Sequence, residues 1–180
     1  GRLLKINKSF TKDIAHEVPY RAEMEYPENL QVIGKKVSAS HDFSSVQINL
    51  SKDLSDEIIR WGQENISDDE VYIEDKDFGR EDHPHITVKY GLHDAECPNK
   101  IKEFFNSIVP LKVKLGKVSV FDDSEDYDVV KIDIDSDQLH LLNMLISDSC
   151  KVTDTHPEYK PHVTISYVIK GNGKKYEGNI

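Results

Sequence analysis

The sequence predicts an α+β fold, and three observations support this prediction. Apolar and polar residues alternate in residues 46–50 and 130–134, which is the period-2 pattern of half-buried strands. Apolar residues recur at helical spacing in three other segments, which begin near Ser51, Pro98 and Ser136. The resulting order is strand, helix, motif strand, helix, strand, strand, helix, motif strand. Segregated helices with short strands are typical of α+β domains.

In the first half, the strand is predicted from Val46, Ile48 and Leu50. Ser51 fits the N-cap of a helix, because acidic residues follow it near the positive end of the helix dipole. The apolar stripe of this helix consists of Leu54, Ile58 and Trp61. A polar, irregular stretch then leads to a motif strand that begins after Pro84.

In the second half, Pro98 fits the first turn of a helix with an apolar face of Ile101, Phe104, Phe105 and Ile108. Two strands come next, at residues 111–121 and 128–135, and the acidic residues 122–126 form the turn between them. Ser136 is predicted to cap a third helix that carries Leu139, Leu142, Leu145 and Ile146. After the second motif strand, Gly171-Asn172-Gly173 predicts a hairpin turn.

The chain has 180 residues, enough for one compact domain and its core. We interpret residues 1–43 as an N-terminal extension of uncertain order, with weak strand character at residues 30–33. Residues 44–180 form the predicted domain.

Charge and cysteine content limit the partners and the compartment. The formal net charge of -10 disfavours long nucleic acid, which is bound mainly through Lys and Arg, but permits a small phosphorylated ligand. No apolar run is long enough to span a membrane. Cys97 and Cys150 lie far apart and lack metal-ligand spacing, which argues against a disulfide framework or a zinc site and predicts a cytoplasmic protein.

One heptapeptide occurs twice, once in each half of the predicted domain. Residues 84–90 read Pro-His-Ile-Thr-Val-Lys-Tyr, and residues 161–167 read Pro-His-Val-Thr-Ile-Ser-Tyr. The copies share Pro, His, Thr and Tyr and exchange Ile for Val at two further positions. A single His-x-Thr match is weak, but two with the same flanking residues are a specific signal.

Strand geometry indicates what the repeat does. Side chains two residues apart share a face, so His85 and Thr87 point together, as do His162 and Thr164. If the two halves pair about a pseudo-twofold axis, two imidazoles and two hydroxyls converge on one cleft. One histidine then takes a proton from the attacking oxygen, the other protonates the leaving oxygen, and the hydroxyls bind the phosphate.

The paired motifs resemble those of the 2H phosphoesterase superfamily, whose members cleave cyclic phosphates and phosphodiesters without metals. The resemblance implies a bilobal, pseudo-twofold fold, with antiparallel sheets that form a central cleft and helices outside. It implies catalytic roles for His85, Thr87, His162 and Thr164. Residues 85–92, His-Ile-Thr-Val-Lys-Tyr-Gly-Leu, and the short acidic domain are similar to the phage anti-CBASS nucleases, which degrade cyclic oligonucleotide signals in the host cytosol.

Neighbouring polar residues are candidates for substrate binding. By strand parity Lys89 and Ser166 share the face of the histidines, and Gln47 and Asn49 lie on the polar face of the first strand. The same parity places Tyr90 and Tyr167 on the buried face. Residues 82–85 offer no third ligand with convincing spacing, so no metal or other cofactor is expected.

Four functions remain as alternatives, of which the last is a phage structural accessory with the N-terminal extension as its attachment segment. The first is a metal-independent phosphodiesterase that hydrolyses cyclic di- or oligonucleotides as a phage counter-defence. The second is a 2′,3′-cyclic phosphodiesterase or RNA-end processing enzyme, which the acidic charge mildly disfavours. The third is a module that binds a nucleotide without cleaving it, and retention of both motifs disfavours that reading.

Overall fold

The computed structural model describes residues 30–38, 41–74, 78–93, 97–107, 111–154, 156 and 158–178, with side chains from Ser45 onward. Residues 1–29 of the predicted N-terminal extension lie outside the described residues. Its boundary with the domain at residues 43 and 44 stays a prediction. The strand expected at residues 30–33 is present as part of a longer strand.

The described residues form an α+β structure, as predicted. One antiparallel sheet has the strand order β1-β2-β3-β6-β5-β4. The strands are β1 (Leu30–Ser38), β2 (His41–Asn49), β3 (His85–Leu92), β4 (Lys114–Phe121), β5 (Tyr127–Asp135) and β6 (His162–Ile169). The helices are α1 (Lys52–Asn65), α2 (Cys97–Ser107) and α3 (Asp137–Ser149).

The helices begin where the capping residues predict. The Ser136 hydroxyl accepts a hydrogen bond from the backbone N–H of Leu139, the expected N-cap contact of α3. Ser51 occupies the N-cap of α1 without a side-chain cap bond. Each helix buries a stripe predicted from the sequence, which includes Leu54, Ile58 and Trp61 in α1, Ile101 and Phe105 in α2, and Leu139, Leu142 and Ile146 in α3.

The core lies on one face of the sheet, because alternate residues of each central strand point toward the helices. Val46 and Ile48 of β2 are fully buried, as are Ile86 of β3, Val130 of β5 and Val163 of β6. The polar residues that alternate with them along the same strands point to the opposite face. Burial of one apolar face therefore fixes which side chains are left for the opposite face.

The two motif strands are neighbours at the middle of the sheet, and they pair at one register position, Ile86 with Val163. Beyond it they diverge and take different partners. β6 bonds to the segment that precedes β3, through bridges from Val71 and Arg80, whereas β3 bonds to Val152 near its far end. The bilobal arrangement implied by the resemblance remains a proposal.

The predicted turn at Gly171-Asn172-Gly173 is present, but the hairpin is wrong. A 3-10 turn, Gly173–Tyr176, comes after it instead of a strand. The buried carboxylate of Asp128 accepts hydrogen bonds from the N–H groups of Gly171 and Gly173, at 2.9 and 3.0 Å. A side chain at Gly173 would collide with Asp128, since an added Cβ would lie 2.8 Å from the Asp128 Cβ.

The argument against disulfide bonding is also wrong. Cys97 at the start of α2 and Cys150 at the C-cap of α3 form a disulfide, with Cα atoms 5.8 Å apart. The two helix ends pack side by side, so a long sequence separation becomes a short distance. The inference of a cytoplasmic location relied on reduced cysteines, and the disulfide removes that support. None of the helices in the described residues is long and apolar enough to cross a membrane.

Candidate active site

The two motif strands bring the four predicted site residues together on the face opposite the core. Ile86 and Val163 are paired and fully buried, so the residues that flank them point the other way. In an antiparallel register this pairing sets His85 across from Thr164, and Thr87 across from His162. All four side chains are half-buried. The register therefore places the four side chains on one face of the sheet, whereas their convergence on one cleft stays a prediction.

Both imidazoles are held in the same way. Nδ1 of His85 lies 2.8 Å from the carbonyl oxygen of His83, and Nδ1 of His162 lies 2.7 Å from that of Lys160. A carbonyl oxygen only accepts, so each Nδ1 carries the proton and donates it. Nε2 is therefore the atom of each ring that is left to accept or donate a proton in the site.

The proline before each histidine accounts for this contact. Pro84 and Pro161 restrict the residues before them to extended conformations, which fixes the direction of the accepting carbonyl groups. Proline also lacks an N–H that would compete for the acceptor. The Pro-His pair thus specifies a tautomer as well as a strand start.

Each motif strand contains a β-bulge, located one residue after the motif threonine. On β3, Gln47 pairs with Thr87 and the next pair is Val46 with Lys89, so Val88 is the extra residue. On β6, Lys131 pairs with Thr164 and the next pair is Val130 with Ser166, so the extra residue there lies at the matching position. A bulge shifts the alternation by one residue and turns the following side chains to the other face.

The bulges overturn the predicted orientation of Lys89 and Ser166. Both residues lie on the core side, opposite the histidines, and are 5% and 0% exposed. Lys89 forms an ion pair with Asp154, and the Ser166 hydroxyl donates to the carbonyl of Gly79 at 3.3 Å. Strand parity fails here because it assumes an uninterrupted ladder.

The bulges also overturn the predicted orientation of Tyr90 and Tyr167, which turn away from the core side of the sheet. They were expected on the buried face, but both are half-buried and follow the residues that the bulges turn inward. The ring of Tyr167 packs edge-on against Phe78 and Tyr127, at centroid distances of 5.2 and 5.4 Å. These tyrosines therefore lie outside the main core.

The flanking strands add one polar pair beside each motif. On β2, Gln47 lies opposite Thr87 and Asn49 lies opposite His85, so both candidates share the histidine face. The Gln47 amide donates to Asn49 Oδ1 at 3.3 Å. The predicted position of this pair beside the site agrees with the register, whereas its role in substrate binding stays a prediction.

The matching pair on β5 is charged and was missed as a candidate. Lys131 lies opposite Thr164, and Asp133 lies opposite His162. The Lys131 ammonium donates to Asp133 Oδ1 at 2.6 Å and to the Ser119 hydroxyl at 2.7 Å. The available signal was a second, weaker repeat, since Val-Gln-Ile-Asn (46–49) matches Val-Lys-Ile-Asp (130–133).

Phe121 at the end of β4 completes this side of the site. Its ring meets the His162 imidazole edge to face at a centroid distance of 4.9 Å. The Lys131 ammonium lies 4.1 Å from the centroid of the same ring. The aromatic ring thus covers the lysine and packs against the histidine.

The electrostatic surroundings lower the pKa of His162. Burial is the largest cause, and the positive charges of Lys131 and His85 act in the same direction. The hydrogen bond to the Lys160 carbonyl and the charge of Asp133 raise the pKa but do not compensate. His162 is therefore biased toward its neutral form.

Asp133 is biased toward its ionised form. Burial by itself would raise the pKa of its carboxyl group, but hydrogen bonds from Lys131 and Ser119 outweigh burial and lower the pKa. Asp133 therefore keeps its negative charge beside the Lys131 ammonium at neutral pH.

Two further residues hold the backbone of β3. The Tyr159 hydroxyl donates to the Thr87 carbonyl at 3.0 Å, and the Asn143 amide donates to the Val88 carbonyl at 2.6 Å. Burial raises the pKa of Tyr159, which keeps the hydroxyl protonated as a donor. These contacts satisfy carbonyl groups at the bulge that the regular ladder leaves free.

This arrangement can transfer two protons and bind an anion at one place. Two Nε2 atoms can serve as an acid and a base, and two threonine hydroxyls can serve as donors to an oxyanion. In the described part of the chain, no group of three or more His, Cys, Asp or Glu side chains is placed to hold a metal ion.

Comparison with known proteins adds one match. A family model described as the 2′-5′ RNA ligase superfamily matches residues 59–173, which is more than half of the chain. The matched range contains both motif strands and the Lys131–Asp133 pair, and it excludes β2 with Gln47 and Asn49. No curated protein matches the sequence.

Proposed function

The chain belongs to the 2′-5′ RNA ligase superfamily, and on that premise we propose that it is a phosphodiesterase whose two histidines act as general acid and general base. The observation that carries this proposal is the matched pair of imidazoles, each held through Nδ1 by a backbone carbonyl. Two equivalent Nε2 atoms facing one place fit a reaction with one proton removed and one supplied.

The proposed site lies in a cleft between two related halves. One half consists of β1, β2 and β3, and the other of β4, β5 and β6. The equivalent residues Ile86 and Val163 face each other across an antiparallel pair, which is the relation that a local twofold axis requires. Divergence of β3 and β6 beyond this pair supports an opening between the halves.

The threonines are proposed to bind the phosphate. Thr87 lies across from His162 and Thr164 across from His85, so each hydroxyl is next to the opposite imidazole. Donors placed there reach the non-bridging oxygens, where negative charge builds up in the transition state. Proton transfer and charge stabilisation are then supplied by the protein's own side chains, without a need for a metal.

The narrower proposal for the substrate is a cyclic di- or oligonucleotide, cleaved as a phage counter-defence. Support comes from the resemblance of residues 85–92 to the anti-CBASS nucleases and from the net charge of -10, which suits a small ligand better than long RNA. In this version the ribose 2′-hydroxyl attacks the adjacent phosphorus, the bond from phosphorus to the 5′-oxygen breaks, and the products are a 2′,3′-cyclic phosphate and a protonated 5′-hydroxyl. A 2′-deoxy linkage cleaved at the full rate would contradict that chemistry.

A second candidate is the processing of RNA ends or of linear 2′,3′-cyclic phosphates. The description of the matching family names 2′-5′ RNA ligases, which favours an RNA substrate with a reacting 2′ oxygen. The same two histidines would catalyse either reaction, so the two candidate functions are distinguished by which substrate is cleaved.

The decisive experiment compares cyclic di- and trinucleotides with 2′,3′-cyclic mononucleotides, in excess EDTA. We expect the wild-type protein to cleave, and His85→Ala and His162→Ala each to lose about 100-fold or more in rate, the usual contribution of a general acid or base. His83→Ala is the matched control, because it removes an adjacent exposed imidazole and keeps the carbonyl that holds His85.

The products decide among the alternatives. Cleavage of cyclic oligonucleotides that both histidine variants lose supports the first proposal. Cleavage of 2′,3′-cyclic mononucleotides alone supports the second. Tight binding of a nucleotide that is recovered intact after long incubation contradicts both, and favours the binding module.

A further inference from the structure

The two halves of the site are alike on the motif strands and differ on the flanking strands. Beside the first motif, the neutral amides of Gln47 and Asn49 bond to each other. Beside the second, the charged side chains of Lys131 and Asp133 bond at 2.6 Å. Both pairs lie across from the threonine and histidine of their own motif strand. The site is therefore symmetric in its histidines and asymmetric in charge.

The charge of Lys131 is held where it acts strongly on its surroundings. The side chain is about as buried as the core, at 6% exposed, and Phe121 covers its ammonium group. Ser119 and Asp133 fix the position of Nζ by hydrogen bonds. A charge away from bulk water is screened less, so its effect on a neighbouring imidazole is larger.

Among the described residues, the charged groups that act on His162 come from two neighbouring strands. Lys131 and Asp133 come from β5, His85 comes from β3, and the carbonyl of Lys160 bonds to Nδ1. The side chain from β4 that touches the ring, Phe121, is uncharged. Burial, Lys131 and His85 together lower the pKa of His162 more than Asp133 and the carbonyl raise it.

From this asymmetry we infer that the Lys131–Asp133 pair determines which histidine has which role: His162 acts as the general base, and His85 acts as the general acid. Lys131 and Asp133 are positioning residues, because they act through His162. The inference rests on the proposed phosphodiesterase function and deepens it.

The proton and bond changes balance in this assignment. Nε2 of His162 takes the proton of the attacking hydroxyl, whose oxygen forms a new bond to phosphorus. The bond from phosphorus to the leaving oxygen breaks, and that oxygen takes the proton from Nε2 of His85. Exchange with solvent then restores the starting protonation states of His162 and His85.

The first test uses uridine 3′-(4-nitrophenyl phosphate), whose nitrophenolate leaves without protonation. We expect His85→Ala to retain most of its wild-type rate on this substrate, and His162→Ala to lose about 100-fold or more, because only the base is still needed. The reverse result would overturn the assignment. A wild-type protein that cleaves neither this ester nor any cyclic nucleotide would instead remove the proposed function.

The second test measures the pH dependence of kcat/KM on the same ester, where the acidic limb reports the base. Lys131→Met should move that limb to higher pH, and Asp133→Asn should move it to lower pH. Lys131→Arg keeps the charge, and Lys102→Met removes an exposed lysine of α2; both should leave the limb in place. The inference would be overturned if the acidic limb moved in the same direction in Lys131→Met and Asp133→Asn, or if it moved in neither variant.

A titration of His162 by NMR makes the test independent of turnover. The midpoint of the His162 imidazole titration should move to higher pH in Lys131→Met and to lower pH in Asp133→Asn. If the pair had only a structural role, the two variants would change stability or rate, but they would not move the His162 midpoint in opposite directions. Unfolding curves identify any variant whose fold is damaged. Asp133→Asn is a near-isosteric change at a half-exposed residue, so this variant should fold and can be titrated.

Discussion

At the scale of single residues, the site depends on side chains whose partners are backbone atoms. Each histidine is oriented by the carbonyl two residues before it, and Thr87 is fixed through its own carbonyl by Tyr159. These contacts use Nδ1 of each histidine and the carbonyl of Thr87, and not Nε2 or the threonine hydroxyl. The strand backbone therefore positions the proposed chemistry with little loss of side-chain freedom on binding.

The threonine hydroxyls give a prediction about transition-state binding. Thr87→Val and Thr164→Val keep the shape of the side chain and remove the donor. We expect each to lower kcat about 10- to 100-fold, somewhat less than removal of a dedicated oxyanion donor. The measurement is kcat on the best substrate at fixed pH. Thr87→Ser and Thr164→Ser keep the hydroxyl, and a loss as large as that of valine would contradict the donor role.

The lowered pKa of His162 predicts how stability depends on pH. The unfolded chain binds a proton at His162 near its ordinary pKa of 6.5, whereas the folded protein binds it only at lower pH. Unfolding therefore takes up a proton in this window, and the free energy of unfolding falls as pH falls through and below 6.5. Asp133 also has a lowered pKa, but its contribution is lost only at more acidic pH.

Urea unfolding of wild type and His162→Gln at about pH 7.5 and about pH 5.5 checks this linkage. The wild type should lose more unfolding free energy between the two pH values than the variant does, because the variant lacks the titrating group. An equal loss in both proteins would show that other groups control the acid limb of stability.

At the scale of elements, the matching bulges decide which residues follow the histidines into the site. On β3, Asn143 donates to the carbonyl of the bulged residue Val88 at 2.6 Å. On β6, the carbonyl of the equivalent residue Ile165 accepts from the Glu81 N–H at 2.9 Å. Each bulge thus bonds to a segment outside its own strand pair. Other segments therefore pair with the motif strands beyond the Ile86–Val163 pair.

Gly91 near the end of β3 is predicted to be intolerant of any side chain. Its φ is +83°, and an added Cβ would lie 2.1 Å from the carbonyl oxygen of Thr153. Gly91→Ala combines left-handed strain with a backbone collision, so we expect a loss of roughly 2–4 kcal/mol of unfolding free energy. Urea unfolding monitored by circular dichroism measures the loss.

Gly171→Ala is the matched control for this prediction. Its φ of +89° is similar, but nothing lies within 4 Å of an added Cβ. Strain alone should cost about 1 kcal/mol. Equal losses at Gly91 and Gly171 would mean that the close approach of β3 to Thr153 contributes nothing.

At the scale of the whole molecule, the disulfide between α2 and α3 joins positions 53 residues apart. Closing a loop of that length in the unfolded chain is worth roughly 3–4 kcal/mol. We expect Cys97→Ala/Cys150→Ala to lower the free energy of unfolding by that amount. A reductant should destabilise the wild type and leave the double variant unchanged.

Alkylation under denaturing conditions followed by mass measurement tests the bond itself. Without reductant, neither Cys97 nor Cys150 should react, and both should react after reduction. Two modified thiols in the unreduced protein would contradict the disulfide and restore the argument for a reducing compartment.

Much of the fold was accessible from the sequence, because its signals are local. The apolar periodicity of α1, α2 and α3 and the Ser136 cap each depend on residues within a few positions of one another. The hairpin expected after Gly171 was wrong, because a turn signal does not specify the conformation of the residues after the turn. A 3-10 turn anchored by Tyr176 replaces the strand, and the Asp128 carboxylate holds the turn itself.

In the candidate site, too, the residues found from the sequence are those with local signals. His85 and His162 were found because repetition of a short motif is visible in the sequence itself. Lys131 and Asp133 were missed, since their relevance comes from pairing with β6, a strand distant in the chain. Lys89 and Ser166 were placed on the wrong face because bulges are produced by pairing between strands.

The sequence by itself determined the α+β class, the family to which the repeat belongs and the two Pro-His-x-Thr strands, because patterns of hydrophobicity and local motifs are properties of neighbouring residues. Tertiary structure alone decided the strand order, the bulges, the Cys97–Cys150 bond and the charged pair beside His162. Each of these depends on contacts between segments far apart in the chain. Their geometry is set only when the core packs and the strands find their register.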